Sequence, residues 1–205
     1  LLPPNIHALR ETARRISREV LAPHAAVVDH DGVWPQASLA AIAHAGLSGL
    51  HVASRLGGID EGMLALVVVT EEFGRECSST ALCYGMHCVA SAVLSAKATP
   101  DQEERYLRPI ANGRHFTSLA LSEAGTGIHF YWPQTQVTQD GDGYVVNGTK
   151  QFVTSGGFAD SYVVTSAHVG GAGEVGEFSA LVVEAGTPGV TWTGDWKGFG
   201  MRGNA

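Results

Sequence analysis

Positive charge is scarce in this chain. Its 205 residues include 13 lysines and arginines against 20 aspartates and glutamates, a formal net charge of -7 at pH 7. The sequence therefore lacks the broad basic field that drives nonspecific binding to nucleic acids or anionic membranes. No apolar run approaches the roughly 20 residues that a membrane span needs, and the N-terminus has no basic patch followed by an apolar stretch. We expect a cytoplasmic protein with no nucleic-acid partner and no membrane span.

Cysteine is also rare. Cys77, Cys83 and Cys88 all lie in one short apolar segment. A secreted disulfide framework would have an even number of dispersed cysteines, so we expect reduced thiols in the core. Cys83 and His87 have the four-residue spacing that can share a metal on a helix, but no second ligand pair at zinc-type spacing accompanies them in the sequence. The sequence therefore predicts no metal site.

Glycine is abundant but unevenly distributed. Eight of the 26 glycines lie in residues 1–112 and eighteen in residues 113–205. In the first part, apolar residues recur every three or four positions, the period of an amphipathic helix, in segments 6–20, 36–45, 63–75 and 78–93. Thr99 and Gln102 flank Pro100 with capping-box spacing, which predicts a helix running towards Ala111. The sequence indicates an all-helical domain over residues 1–114.

The second part has the texture of strands. Short β-branched and aromatic runs, separated by turn residues, occupy 116–121, 134–139, 144–146, 149–154, 162–166, 178–184 and 189–196. The sequence DGDG at 140–143 is a hairpin signal. We therefore predict an α+β fold in which the helical domain is followed by a small antiparallel β-barrel or sandwich over residues 115–205.

Two glycine-rich segments could bind an anionic ligand. Residues 171–176, GAGEVG, match the dinucleotide pattern G-x-G-x-x-G, but the strand-like run at 178–183 stands where that motif needs a helix, which favours a simple loop. In residues 119–127, LALSEAGTG, a strand ends in a hydroxyl, an acid and a Gly-x-Gly turn. Backbone N–H groups of such a turn can approach a phosphate, although a plain β-turn explains the stretch equally well.

The segment 119–127 resembles the flavin-binding turn of acyl-CoA dehydrogenases. Residues 144–156, YVVNGTKQFVTSG, are similar to that family's second signature and follow at the expected distance. The resemblance extends over essentially the whole chain. The sequence departs from the family pattern at Ala124, where proline is usual, at Ile128 and His129, which replace serine and aspartate, and at Phe152, which replaces the commoner tryptophan.

The resemblance implies a helical N-terminal domain, a β middle domain and a C-terminal helical bundle, with FAD between the last two. It implies FAD-dependent α,β-dehydrogenation of an acyl-CoA in fatty acid metabolism, an acceptor such as electron-transfer flavoprotein, and a homotetramer built as a dimer of dimers. The residues carried over to FAD binding are Leu119, Leu121, Ser122, Gly127, Ile128, Phe152, Val153 and Thr154. Those carried over to the acyl-CoA are Gly85, Val89 and Ile128.

The resemblance also implies elements that this sequence does not contain. The last strand of the middle domain, the helical bundle and the catalytic glutamate are expected beyond Ala205. Two alternatives remain open on the same scaffold. One is a flavin oxidase or monooxygenase, and the other is a catalytically inactive binding protein without flavin.

Overall fold

The computed structural model describes residues 2–127, 129–167, 176–194 and 196–204. Its helices are α1 (Pro4–Ile16), α2 (Ala22–His30), α3 (Gln36–His44), α4 (Met63–Gly74), α5 (Ser78–Lys97), α6 (Pro100–Gln102) and α7 (Arg108–Ala111). π-helical turns at Ser17–Leu21 and Glu103–Leu107 join α1 to α2 and α6 to α7, and short 3₁₀ helices lie at Ser54–Leu56 and Arg202–Asn204. The strands are β1 (Thr117–Ala120), β2 (Gln136–Asp140), β3 (Gly143–Asn147), β4 (Ser161–Ala167) and β5 (Phe178–Glu184).

The helical domain follows the periodicity of the sequence. Thr99 accepts a hydrogen bond from the backbone N–H of Gln102, whose side chain accepts one from the Thr99 N–H, so the predicted capping box is present. The apolar stripes of α1, α3, α4 and α5 meet in one core, where Phe73 and Tyr84 pack edge to face at 5.1 Å. Burial of this core is the main source of stability for the domain.

Helix α5 corrects one expectation from the sequence. By length and composition this helix of 20 residues could cross a membrane, whereas we expected no apolar stretch that approaches this length. Ser, Thr, His and Cys residues interrupt its runs of apolar residues, so no long continuous apolar run is present in this helix, but Lys97 is its only charged residue. Half of its most apolar window is buried inside the protein, where it packs against α4 and β1. The same pattern is typical of a core helix.

The β part confirms the α+β class and differs in detail from the antiparallel prediction. One sheet has the order β1-β4-β5, in which β1 and β4 pair parallel and β4 and β5 pair antiparallel. The DGDG sequence forms the β2-β3 hairpin as predicted. The strands of the described residues form two separate sheets and do not close into a barrel. The parallel pair was not expected because its two strands lie more than 40 residues apart in sequence.

Two of the predicted strands, at 149–154 and 189–196, are absent from the residues that the structure describes. Segment 149–154 contains Phe152 with φ +55°, a left-handed backbone conformation that ends any strand there. Segment 189–196 has positive φ at Gly189 and Gly194, and its described residues are not strand. Both segments have the β-branched composition of strands, but their backbones turn instead of pairing.

The two parts of the chain pack directly on each other. His87 of α5 accepts a hydrogen bond from the Thr117 N–H at Nδ1, and its Nε2–H donates to the Ser48 carbonyl, each over 3.1 Å. Its ring stacks on Phe116 at 4.6 Å. At the other end of the chain, Arg202 forms an ion pair with Asp29 of α2 at 3.0 Å. Helix α5 therefore positions the start of β1 against the helical core.

Candidate functional site

The end of β1 meets one face of α5. Leu119 is buried in a small cluster against which Leu121 and Val89 pack. Gly85 lies one helical turn before Val89, and a Cβ added at Gly85 would contact Thr70 of α4 at 3.8 Å. The structure therefore brings Val89, which is predicted to bind substrate, to the same cluster as Leu119 and Leu121, which are predicted to bind flavin.

The turn after β1 is a compact loop. The Gly127 N–H donates to the Glu123 carbonyl over 3.1 Å, and Gly127 adopts φ +55°, a conformation that favours glycine. The Thr126 hydroxyl oxygen is buried and, among the residues that the structure describes, has no hydrogen-bond partner. Ile128, predicted to bind both flavin and substrate, lies outside the described residues.

The second signature runs alongside the first. The Gln151 N–H donates to the Ser122 carbonyl over 2.8 Å, and the Ser118 hydroxyl donates to the Thr154 carbonyl over 2.7 Å. These bonds place Val153 and Thr154 beside β1 and the residues that follow it. Two segments that are distant in sequence, 36 residues apart for Ser118 and Thr154, thereby form one continuous surface.

Phe152 is the most conspicuous side chain of this surface. Its ring is 76% exposed, and the edge-to-face neighbour Trp196 lies 6.1 Å away between ring centroids. The positive φ of Phe152 costs on the order of 1 kcal/mol or more, because a side chain with a Cβ disfavours the left-handed region. A strained backbone that presents an aromatic ring to solvent is typical of a ligand-binding position.

A buried ion pair that we did not predict from the sequence joins the two signatures. Lys150 Nζ donates to Glu123 Oε1 over 2.7 Å, and the two side chains are only 9% and 4% exposed. Glu123 also accepts the backbone N–H groups of Gln134 and Thr135, at 2.5 and 3.0 Å, and the Thr135 hydroxyl at 2.5 Å. Glu123 lies in the first signature and Lys150 in the second. The opposite charges of these two residues were the feature of the sequence that could have indicated the ion pair.

Burial and hydrogen bonding act in opposite directions on Glu123. Burial alone would raise its pKa, but the bonds from Lys150, from the Thr135 hydroxyl and from two backbone N–H groups lower the pKa to about 2. Burial lowers the pKa of Lys150, and the neighbouring carboxylate opposes that shift. Glu123 is therefore ionised at neutral pH, and Lys150 is its partner.

The buried cysteines and His87 are poorly suited to bind a metal in this state. Burial raises the pKa of both Cys83 and Cys88 to about 12, so their thiols stay protonated. Burial lowers the pKa of His87 to about 4, and both of its ring nitrogens are bonded to backbone groups. In the described ranges, no three His, Cys, Asp or Glu side chains are grouped to hold a metal ion.

The G-x-G-x-x-G match lies mostly outside the described residues, since the structure describes only its last member, Gly176. The element that follows it is strand β5, in agreement with the prediction that no helix opens there. This removes the structural context that a dinucleotide fingerprint requires.

Comparison with known families decides the assignment. The acyl-CoA dehydrogenase N-terminal domain matches residues 3–114, and the acyl-CoA dehydrogenase middle domain matches residues 118–205. The chain belongs to the acyl-CoA dehydrogenase family. The resemblance found in the two signatures is thereby confirmed for the chain as a whole.

Individual members of the acyl-CoA dehydrogenase family show the extent of the similarity. A probable acyl-CoA dehydrogenase of Bacillus subtilis is 31% identical over 96% of this chain and 52% of its own length. The cyclohex-1-ene-1-carbonyl-CoA dehydrogenase of Geobacter metallireducens is 33% identical over 95% of this chain and 51% of its own length. The solved butyryl-CoA dehydrogenase of Megasphaera elsdenii aligns with a TM-score of 0.90 at 25% identity, covering 99% of this chain and 54% of that one. The chain spans about half the length of these relatives.

Proposed function

We propose that the full-length protein catalyses FAD-dependent α,β-dehydrogenation of an acyl-CoA thioester. Residues 1–114 would form its helical domain and residues 115–205 its β middle domain. The observation that carries this proposal is the junction of the two signatures, where the Gln151 N–H donates to the Ser122 carbonyl and where Val89 of α5 and Leu121 pack against the same cluster around Leu119. One surface thereby combines the predicted flavin contacts with the helix predicted to line the acyl channel.

The residues present fit a flavin. Phe152 offers an exposed aromatic face, which suits stacking against a planar ring system. Thr126 has a buried hydroxyl without a partner among the described residues, in a turn whose Gly127 lets the backbone approach closely. A buried polar atom without a hydrogen bond is costly, so a ligand that supplies one is favoured there.

Each group of residues has a distinct task in this proposal. Leu119, Leu121 and Ser122 would hold the flavin from the end of β1, and Val153 and Thr154 from the second signature. Phe152 would cover its ring system, Gly127 and Ile128 would lie near its phosphates, and Gly85, Val89 and Ile128 would line the substrate site. When bound, FAD would supply the group that accepts a hydride from the β-carbon of the thioester.

The remaining chemistry is acid–base catalysis and exclusion of water. A carboxylate must remove the α-proton, and we propose that a glutamate of the full-length protein outside residues 1–205 does so. None of the acidic residues described here takes that role in our proposal. The buried Glu123 is engaged by Lys150 and by Thr135, which directly precedes β2, and Glu72 is engaged by two arginines. The chain contributes positioning, and its apolar α5–β1 contact keeps water from one wall of the site.

Partners follow from the same chemistry. A flavin that has taken two electrons must pass them on, and we propose an acceptor protein such as electron-transfer flavoprotein. We further propose a cytoplasmic homo-oligomer arranged as a dimer of dimers, with a role in fatty acid metabolism.

Spectra of the purified full-length protein test this proposal against its alternatives. We expect a yellow protein with bound FAD, whose flavin, once reduced by substrate, is reoxidised slowly by oxygen and rapidly by an artificial one-electron acceptor. Rapid reoxidation by oxygen would instead indicate a flavin oxidase or monooxygenase. A colourless protein that gains no flavin on incubation with FAD would indicate a binding protein.

A further inference from the structure

The buried pair Glu123 and Lys150 joins the two flavin signatures through side chains. We propose that this pair is a positioning device that fixes both segments and keeps the charge beside the flavin balanced, so that it sets the flavin's reduction potential. The inference rests on the proposed function, because it concerns the electrostatics of the same site. It goes beyond that function in assigning a role to two residues that do not belong to the predicted contact set.

Lys150 connects three separate pieces of the β domain. Its Nζ donates to the Leu121 carbonyl at 3.2 Å, to Glu123 Oε1 at 2.7 Å and to the Thr165 hydroxyl of β4 at 3.1 Å. An ammonium group has three N–H donors, so this set uses all of them. The bond to Leu121 matters most, because that carbonyl belongs to a residue predicted to contact the flavin.

Glu123 closes the loop that follows β1. Its carboxylate accepts hydrogen bonds from the backbone N–H groups of Gln134 and Thr135, where the loop leads into β2, and the Lys150 ammonium approaches from the second signature. The carboxylate therefore holds both ends of the loop that contains Gly127. Gly125 is enclosed by the same arrangement, since a Cβ there would come within 2.3 Å of the Gln134 side chain.

The location of the pair gives it an effect on bound flavin as well as on folding. Charges interact more strongly in a poorly solvated site than in water, and both side chains are less than one-tenth exposed. Hydrogen bonding to the Leu121 carbonyl also polarises the peptide group it shares with Ser122, which strengthens the Ser122 N–H as a donor. As long as both partners are present, their opposite charges nearly cancel at the flavin site.

Three variants of the FAD-loaded full-length protein separate charge from structure. Glu123→Gln leaves an unbalanced cation, Lys150→Met leaves an unbalanced anion, and the double variant leaves neither. Reduction adds negative charge to a flavin, so the potential measured by redox titration should rise in Glu123→Gln, fall in Lys150→Met and lie close to wild type in the double variant. Glu103→Gln, which removes the partner of Arg55 at the surface, is the matched control and should leave the potential unchanged.

The outcomes are separable from those of the proposed function. If the wild-type protein binds no FAD, the proposed function fails; if it binds FAD and Glu123→Gln and Lys150→Met shift the potential in the same direction, or not at all, the present inference fails. If Lys150→Met does not retain FAD, a higher potential in Glu123→Gln than in the double variant still supports the pair. Loss of FAD from all three variants, with wild-type thermal unfolding, overturns the electrostatic role.

Discussion

Trp34 of the helical domain donates its Nε1–H to the hydroxyl of Ser155, over 3.1 Å and across 121 residues of sequence. Ser155 directly follows the predicted flavin contact Thr154. It is fully buried with φ +60°, its N–H donates to the Asn204 carbonyl at 2.6 Å, and its own carbonyl accepts from the Tyr162 hydroxyl at 2.8 Å. The helical domain and the end of the chain therefore hold the second signature in a strained backbone conformation.

Replacing Trp34 tests this connection. Trp34→Phe keeps an aromatic ring beside Phe158, on which Trp34 stacks at 5.2 Å, but removes the hydrogen bond to Ser155. We expect a loss of about 1 kcal/mol in the free energy of unfolding by urea, and a several-fold weaker binding of FAD. Trp132→Phe is the control, since Trp132 is 53% exposed and should tolerate the change. Equal effects of the two substitutions would contradict a specific role for the Trp34 bond.

Phe152 should matter for binding and not for folding. Because its side chain is mostly exposed, Phe152→Ala should change the free energy of unfolding of the flavin-free protein by less than about 0.5 kcal/mol. The loss of a stacked ring should weaken FAD binding by roughly 1 kcal/mol, or about fivefold in Kd, measured by fluorescence titration. Tyr144→Ala removes a comparably exposed ring from the β2-β3 hairpin, and an equal loss of FAD affinity there would contradict the assignment.

His87 predicts a pH dependence of stability. Its pKa is about 4 in the folded protein against about 6.5 when exposed, so the unfolded state binds more protons between these values. Stability is therefore fully present above pH 6.5 and is lost as the pH falls towards 4, by about 3 kcal/mol in total. His87→Gln does not titrate, so its urea midpoint should depend less on pH over this range. The control is His44→Gln, which removes an exposed histidine and keeps His87. If the urea midpoint of His87→Gln fell with pH as steeply as that of His44→Gln, the prediction would be contradicted.

Glu72 should stabilise the helical domain through two arginines. Its buried carboxylate accepts from Arg10 at 2.7 Å and Arg14 at 2.9 Å, and the bond from Arg14 is the largest cause that lowers its pKa, to about 2. This contribution is present above pH 4.5 and is lost as the pH falls through 2.

The corresponding variant is Glu72→Gln, which keeps the shape of the side chain but removes its charge. We expect a loss of about 2 kcal/mol in the free energy of unfolding at pH 7, because charged hydrogen bonds in a buried position are replaced by neutral ones. The adjacent Glu71→Gln, whose partner Arg75 is exposed, should cost less than about 0.5 kcal/mol. Similar losses of unfolding free energy in both variants would show that the buried ion pairs of Glu72 stabilise the protein no more than an exposed pair does.

Local signals in the sequence predicted the local structure well. The capping box at Thr99 and the DGDG hairpin depend on residues three or four positions apart, and both are present as expected. The parallel pairing of β1 with β4 joins residues that are far apart in sequence, such as Thr117 and Ser161. The composition of a strand contains no information about which distant strand will pair with it.

The candidate site shows the same division between local and nonlocal information. The flavin signatures were recognised as sequence patterns, but the bond between Lys150 and Glu123 needs both segments in their folded places. The segment 149–154 resembled a strand because Phe152, Val153 and Thr154 favour strands. Its turn arises because Lys150 and Gln151 donate hydrogen bonds to the carbonyls of Leu121 and Ser122, directly after β1. Tertiary contacts overrode local propensity at the residues that the proposed function requires.

Anaerobic titration of the full-length, FAD-loaded protein with acyl-CoA thioesters tests the central claim most directly. The α,β-dehydrogenation proposed here predicts that at least one thioester in a panel of short, medium, long and branched acyl groups bleaches the flavin absorbance, with formation of the 2-enoyl-CoA. A flavin spectrum that stays oxidised with every member of the panel, in a protein that dithionite reduces normally, would contradict it.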